Sequence, residues 1–427
     1  MDDNDHRRLG RQLDLYHFEE HSPGMVFWHA RGHVIYRELE NFLRRRMRRL
    51  GYQEVRTPQL LPRSLWERSG HWEKFRDAMF VFERPDDEDL VLKPMSCPCH
   101  LEIFNDRIRS WRELPMRMAE FGACHRNEPS GSMHGLMRTR AFEQDDAHVL
   151  CAPDQVRGEV ARFVGMLRDV YAELGFPEPE VILSLRPEMK SGSDADWDHA
   201  EQELLEAAHA SGLTPRMAAG EGAFYGPKLE FVLRDGQGRS WQCGTVQLDM
   251  VLPGRLGASY IDRRGDRTVP VMIHHAILGS MGRFIGILLE DRGGRLPFWL
   301  APDQVAVLPI SSEQQKAAAG FCDQLLDAGV RAVMFDQAET LSRRIVMARE
   351  NAIPVNAVIG AREVAAGQVS LKENGRQRSM GAGDAVSELV LRTLSGPGGR
   401  GPLPAPPRMP GMDKKGADGP DESGESG

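Results

Sequence analysis

The sequence predicts an α+β domain on an antiparallel sheet, then a small α/β domain with a mainly parallel sheet, then a tail. Three observations carry this. A length of 427 residues exceeds one ordinary core. Up to Leu296, strand-like runs are separated by long helices and turns rather than joined by regular βα crossovers. Beyond Pro302, strands and helices alternate. The boundary falls at Leu296–Pro302, where Pro297 and Pro302 bracket Phe298, Trp299 and Leu300.

In chain order, the first clear element is a helix over Val34–Leu50. Ile35, Leu39, Phe42, Leu43 and Leu50 share one face, and Gly51 ends it. Arg44, Arg45, Arg46, Arg48 and Arg49 make a basic outer face, either solvated or in contact with nucleic acid or a subunit. Strand-like runs follow at Tyr52–Thr57, Leu90–Leu92, Met116–Phe121, Ala141–His148, Val181–Leu185, Leu229–Leu233, Ser240–Leu248 and Val269–His274. In the second domain strands are expected at Gln304–Pro309, Val330–Phe335 and Pro354–Ile359. Helices are expected at Ser312–Ala328, opened by a Ser312/Gln315 capping box, at Leu341–Asn351 and at Asp384–Leu394, with a charged hairpin from Val369 to Met380. From Gly396 the composition is rich in Gly and Pro, which predicts a disordered tail.

Composition narrows the function classes. The chain is 41% hydrophobic and 27% charged, which excludes wholesale disorder. Its net charge of −8 excludes a generally basic coat for nucleic acid, though not a local patch. Six scattered cysteines do not make a disulfide framework and favour a reducing compartment. The polar start MDDNDHRRLG has no apolar h-region, and no long apolar run follows, which predicts a soluble cytoplasmic protein with no membrane partner.

Three segments carry chemistry. Phe121–Glu128 and Arg138–Asp146, joined by a Gly/Ser loop, read as a hairpin that projects an Arg from one arm and an aromatic ring from the other. That arrangement suits a phosphate or carboxylate and a nucleobase, and the plainer reading is a surface hairpin with incidental charges. Val271–Gly286 reads as a strand, a glycine-relieved turn and a helix opening with an Arg, which makes a polyphosphate site. Lys93–His100, with its Cys-Pro-Cys-His, joins His148 and His274, each expected at a strand end or turn. One thiolate and two imidazoles would leave a zinc ion one open position. Spacing alone does not select this trio from six cysteines and 14 histidines.

The stretches LDLYHFEEHSPGMVFW, KPMSCPCH, RMAEFGACHRNEPSGSMHGLMRTRAFEQDDAH, EGAFYGPKLEF, CGTVQLD and PVMIHHAILGSMGRFIG are specific in combination. Over about Asp5 to Leu394 the chain resembles the class II aminoacyl-tRNA synthetases, most closely the threonyl-tRNA synthetase family. The resemblance implies a catalytic domain at 1–298, an anticodon-binding domain at 299–395 and the tail at 396–427. It implies ATP-dependent formation of threonyl-adenylate and transfer to tRNA(Thr), with Mg²⁺-ATP, L-threonine, one zinc per subunit and a homodimer. The dimer would use the first helix and the strand Tyr52–Thr57 with Pro58.

Residue by residue, Arg126 matches the arginine on the α-phosphate and Glu128 the residue reading the adenine edge. Phe142 matches the ring under adenine, and Arg138 and Arg283 the holders of the outer phosphates. Cys97, His148 and His274 match the zinc ligands, and Asp146 the carboxylate that receives the amine. Met95, Tyr225, Lys228, Gln242 and Gln247 match the pocket lining, and His71 a histidine near the terminal tRNA ribose. Zinc with an open position would bind the threonine amine and hydroxyl together, a contact that valine cannot complete.

The chain departs from the family's pattern at Cys99, where a Gly is usual, at Gly282, where an acid is usual, and at His275, where an Arg is usual. In the second domain Glu363 matches, while Thr340 and Lys372 stand for an expected Lys and Arg. Because the match begins almost at Met1, the resemblance implies a short form without the N-terminal editing domain, served by a separate trans-editing protein. A non-catalytic paralogue that binds amino acid or RNA, and a zinc hydrolase, are the readings from other classes.

Overall fold

The computed structural model describes residues 4–336 and 338–394, so the Gly/Pro-rich tail expected at 396–427 lies outside the described residues. The larger part is organised by an eight-stranded sheet: β1 (Gln53–Glu54), β2 (Met116–His125), β3 (Ala141–Cys151), β4 (Glu180–Ser184), β5 (Arg216–Ala218), β6 (Lys228–Arg234), β7 (Ser240–Asp249) and β8 (Val271–Ala276). Their spatial order is β5-β4-β6-β7-β8-β3-β2-β1. The pairings are antiparallel except at the two edges, β4 with β5 and β1 with β2. This is the expected α+β arrangement.

Strand alternation divides the sheet into two faces. On one face Ala119, Ala147, Val149, Val246, Leu248 and Ile273 are buried in a core shared with two helices, Ala30–Arg49 (α1) and Val156–Glu173. Behind the other face a second core gathers Met118, Leu150 and Met272 with Cys97, Leu101 and Phe104 of the helix Cys97–Asn105 (α2). The catalytic candidates stand on this second face.

The helix predicted from Val34 already starts at Ala30. Gly32 is no break here, because the carbonyl of Leu15 comes so close that a Cβ would lie 2.0 Å from its oxygen. Its buried face holds Ile35, Leu39, Phe42, Leu43 and Met47, and Gly51 follows with φ +82°. Part of the arginine face is engaged: Arg44 pairs with Glu54 and lies over the Phe121 ring, and Arg46 pairs with Glu173 and lies over Phe42, while Arg48 and Arg49 are exposed.

The strand expected over Tyr52–Thr57 shrinks to β1. Thr57 gives its N–H to the Glu120 carboxylate (2.8 Å) instead of to the ladder, and the pairing stops. The short strand β5 has no counterpart in the sequence reading.

The second part forms a sheet ordered Ala332–Met334, Val305–Pro309, Val355–Ile359, Gln368–Glu373, Arg376–Gly381. The first three strands are parallel and the last two antiparallel. The capping box is Ser311 with Gln314, one residue ahead of the expected pair, because a 3-10 turn over Ser312–Gln314 precedes the helix Gln315–Asp327. A helix at Ala361–Ala366 was not expected.

The chain passes between the cores at Phe298–Leu300, where Trp299 and Leu300 join the first core while Phe298 packs on the second domain's. Trp299 stacks on Phe42 of α1 (5.0 Å between centroids). Arg331 reaches back to Glu38 (3.1 Å), and Arg31 pairs with Asp303.

Phe42→Ala should therefore lower the stability of the first core by about 3–5 kcal/mol, through the lost ring and the gap it leaves under Trp299. Denaturant unfolding followed by tryptophan fluorescence measures it, and a change below about 1 kcal/mol would contradict this packing.

Candidate active site

A cleft of about 830 Å³ opens on the second face of the sheet. Strand parity explains much of its lining. Phe142, Gln144, Asp146 and His148 alternate along β3, so all four project to one side. Register extends the line across strands, since Lys228 pairs with Gln247, Gln247 with His274 and His274 with His148. Three strands distant in sequence thereby present one row of polar side chains. His148 and His274 are thus inside strands and Cys97 opens α2, rather than each marking a strand end or turn.

Cys97, His148 and His274 are all buried, and their donor atoms lie within 4.8 Å of one another. His148 Nε2 is 3.0 Å from His274 Nδ1. The outer nitrogens are committed elsewhere. His274 Nε2–H donates to Asp249 Oδ2 (2.9 Å), and His148 Nδ1 is 2.7 Å from His100 Nδ1. With the tautomers assigned from these partners, two imidazole lone pairs face each other beside a cysteine sulfur, the donor set of a cation site. Burial pushes the His148 pKa well below the ordinary histidine value and the Cys97 thiol well above the ordinary thiol value. Without a cation the pocket therefore favours a neutral imidazole and a protonated thiol.

These residues fit zinc: one sulfur and two nitrogens, with space on the cleft side. Cys99 does not belong to this set, and its thiol is pushed up to about 11 by burial. His275 turns to the opposite face, where its Nε2 meets the Tyr52 hydroxyl (2.7 Å) and its ring packs on Phe163. The other buried cluster, Asp5, His6 and Glu290, is a structural clasp. His6 Nδ1 is 2.6 Å from Glu290 and its Nε2 accepts the Leu136 N–H (3.2 Å), so neither nitrogen is left for a metal.

Around this pocket, Asp146 is half-buried with one oxygen 3.7 Å from His148 Nε2, and desolvation raises its pKa. The Tyr225 ring stacks on His274 (4.9 Å), and its hydroxyl donates to Gln247 (2.7 Å). Met95, Lys228 and Gln242 complete the lining, with Lys228 paired to Glu230 (2.8 Å).

At the other end of the cleft the Arg126 guanidinium lies 5.2 Å from the Phe142 ring centre, and Glu128 pairs with the half-exposed Arg138 (2.8 Å). Arg283 is the third residue of the helix Met281–Arg292, which Ser280 caps. Two carbonyls hold its guanidinium, those of Met137 (2.8 Å) and Gln242 (3.1 Å), so support does not depend on an acid at position 282.

Of the fifteen candidates the cleft gathers fourteen, and His71 is the exception. It is wholly buried behind Cys97, with Nε2 3.6 Å from the sulfur and Nδ1 2.8 Å from Ser69 Oγ, and burial lowers its pKa to about 3.

Sequence reasoning also passed over Asp145. Its side chain points to the opposite face from Asp146 and accepts the backbone N–H groups of Ile277, Leu278 and Gly279 (2.7–3.2 Å), pinning the turn that delivers Arg283. Burial pushes its carboxyl up to about 7, against the pull of those amides. The signal was available in the adjacent acids Asp145-Asp146, which a strand must send to opposite faces.

The fold and cleft define a class of protein. Residues 80–292 match the tRNA synthetase class II core domain (G, H, P, S and T), and residues 304–391 match the anticodon binding domain. The threonine–tRNA ligase of Rhodospirillum rubrum is 52% identical over 393 residues, covering 92% of this chain and 61% of that protein. The ligase of Wolbachia sp. subsp. Drosophila simulans is 48% identical, covering 92% and 62%. Among solved structures, the RNA-binding domain of threonyl-tRNA synthetase from Cryptosporidium parvum superposes with TM-score 0.88 at 36% identity, over 91% of this chain and 98% of that one. The chain belongs to the threonyl-tRNA synthetase family. It spans about 60% of the length of the curated relatives it matches. No described helix is long and apolar enough to cross a membrane.

Proposed function

We propose that this chain carries threonine–tRNA ligase activity, activating L-threonine with Mg²⁺-ATP and passing it to tRNA(Thr). The observation that supports this best is a single cleft joining Arg126, Arg138 and Arg283 to the buried Cys97, His148 and His274. A phosphate-binding end and a small-molecule end, held by one sheet, are what adenylate formation requires.

Phe142 offers its ring to adenine, and Glu128 takes the adenine edge once Arg138 turns to the outer phosphates with Arg283. A threonine carboxylate oxygen attacks the α-phosphorus, the bond to the bridging oxygen of the β-phosphate breaks, and pyrophosphate leaves. Arg126 stabilises the charge that builds on the α-phosphoryl oxygens in that step. Asp146 accepts a hydrogen bond from the substrate amine, and Gln242, Tyr225, Lys228, Met95 and Gln247 shape the pocket around the side chain. The terminal ribose hydroxyl of the tRNA then attacks the carbonyl carbon, and AMP leaves.

Cys97, His148 and His274 would hold zinc, which supplies a Lewis-acidic position for both the amine and the hydroxyl of the substrate. A second copy of the chain docked on α1 and residues 52–58, the domain limits 298/299 and 395/396, and a cytoplasmic setting belong to the same reading.

Arg126→Ala should lower threonine-dependent ATP–pyrophosphate exchange by about 10²–10³-fold while leaving zinc content and circular dichroism unchanged. Near-normal exchange would remove Arg126 from the α-phosphate. In the wild type, serine lacks only a methyl group and should be activated roughly 10–200-fold less efficiently than threonine, with valine lower still. Equal rejection of serine and valine would contradict a pocket that reads the hydroxyl through a metal.

A further inference from the structure

His100 lies three residues beyond Cys97 on α2, is wholly buried, and does not line the cleft. It nevertheless touches a candidate metal ligand, with its Nδ1 2.7 Å from His148 Nδ1. Its other nitrogen, Nε2, is 3.3 Å from Glu120 Oε2. That carboxylate is ringed by donors: the Thr57 N–H (2.8 Å), the Thr57 hydroxyl (2.9 Å) and the Lys93 ammonium (3.1 Å to each oxygen). Lys93 also donates to the Thr57 oxygen (2.8 Å).

These contacts assign the hydrogens in sequence. A carboxylate surrounded by donors is an acceptor only, so His100 Nε2 carries its hydrogen and donates it. In the tautomer assigned from that partner, His100 offers the lone pair of Nδ1 to the hydrogen on His148 Nδ1. His148 is left with its lone pair on Nε2, aimed at His274 Nδ1 and the space beside Cys97. Asp249 fixes His274 in the complementary tautomer from the other side.

We propose that Lys93, Thr57, Glu120 and His100 form a buried relay that holds His148 in the metal-accepting tautomer and orientation, with His100 as its positioning residue. This rests on the zinc reading above. The relay makes α2 a two-point support, since the helix that supplies Cys97 also orients His148 through the same turn. It also explains an ion pair sunk beneath a cleft that it does not line. Lys93 and Glu120 are both buried, and neither faces substrate.

The test is zinc affinity of the purified full chain, measured by competition with a chromophoric chelator, together with the visible absorption of the Co²⁺-substituted protein. His100→Ala removes the acceptor for His148 and should weaken zinc binding by about 10–100-fold and shift the Co²⁺ spectrum. His100→Asn places an amide oxygen near the former Nδ1 and should retain most of the affinity. A merely structural role would impair both variants alike. Glu120→Gln, which keeps the volume and sets an NH₂ group among the donors, should weaken zinc as His100→Ala does, and serves if the alanine variant does not fold. Wild-type affinity in His100→Ala or in Glu120→Gln, or equal losses in the Ala and Asn variants, would overturn the relay while leaving the metal reading intact. A wild-type chain that takes up no zinc would overturn both.

Discussion

The structure depends on the register of three adjacent strands. Gln247, His274 and His148 sit opposite one another across β7, β8 and β3, and Lys228 extends the row on β6. Because side chains alternate with a period of two, a slip of one residue would send the row to the other face. The apolar parity of the same strands prevents that. Ala147, Val149, Ile273, Val246 and Leu248 are buried between the sheet and helices that include Val160, Phe163 and Leu167. Packing energy on one face thus holds the chemistry on the other.

Buried charge under the cleft is handled by pairing rather than by exposure. Lys93 meets Glu120, Asp249 meets His274, and Asp145 meets three amides of the turn before Arg283. Removing one partner from such a buried pair leaves an uncompensated charge, which typically costs about 3–5 kcal/mol. The cleft therefore rests on groups that are fixed before a ligand arrives. At its mouth the pairings are looser: Glu128 and Arg138 form a partly exposed ion pair that can be exchanged at little cost.

Much of this was legible in the residues. The amphipathic face of α1 and the β2–β3 hairpin each announce an element, and the Ser/Gly turn before Arg283 announces a helix that opens with an Arg. The Cys97, His148 and His274 grouping was not legible from spacing, since 51 and 126 residues separate successive members; strand register joins the two histidines, and α2 carries Cys97 to them. For His71 a motif match carries a role near a ribose, while its burial behind Cys97 is something that motif order does not encode. Likewise, the short β1 reflects the Thr57–Glu120 bond, a contact between residues 63 positions apart that no local propensity contains.

On the proposed function, Cys97, His148 and His274 hold a zinc ion whose free position receives the amino acid. X-ray absorption at the zinc edge on the purified chain, before and after adding L-threonine, tests it most directly. The expected result is one zinc per chain with one sulfur and two imidazole nitrogens in its shell, and a changed spectrum with threonine but not with valine. Absence of zinc, a shell without sulfur, or a spectrum indifferent to threonine would contradict it.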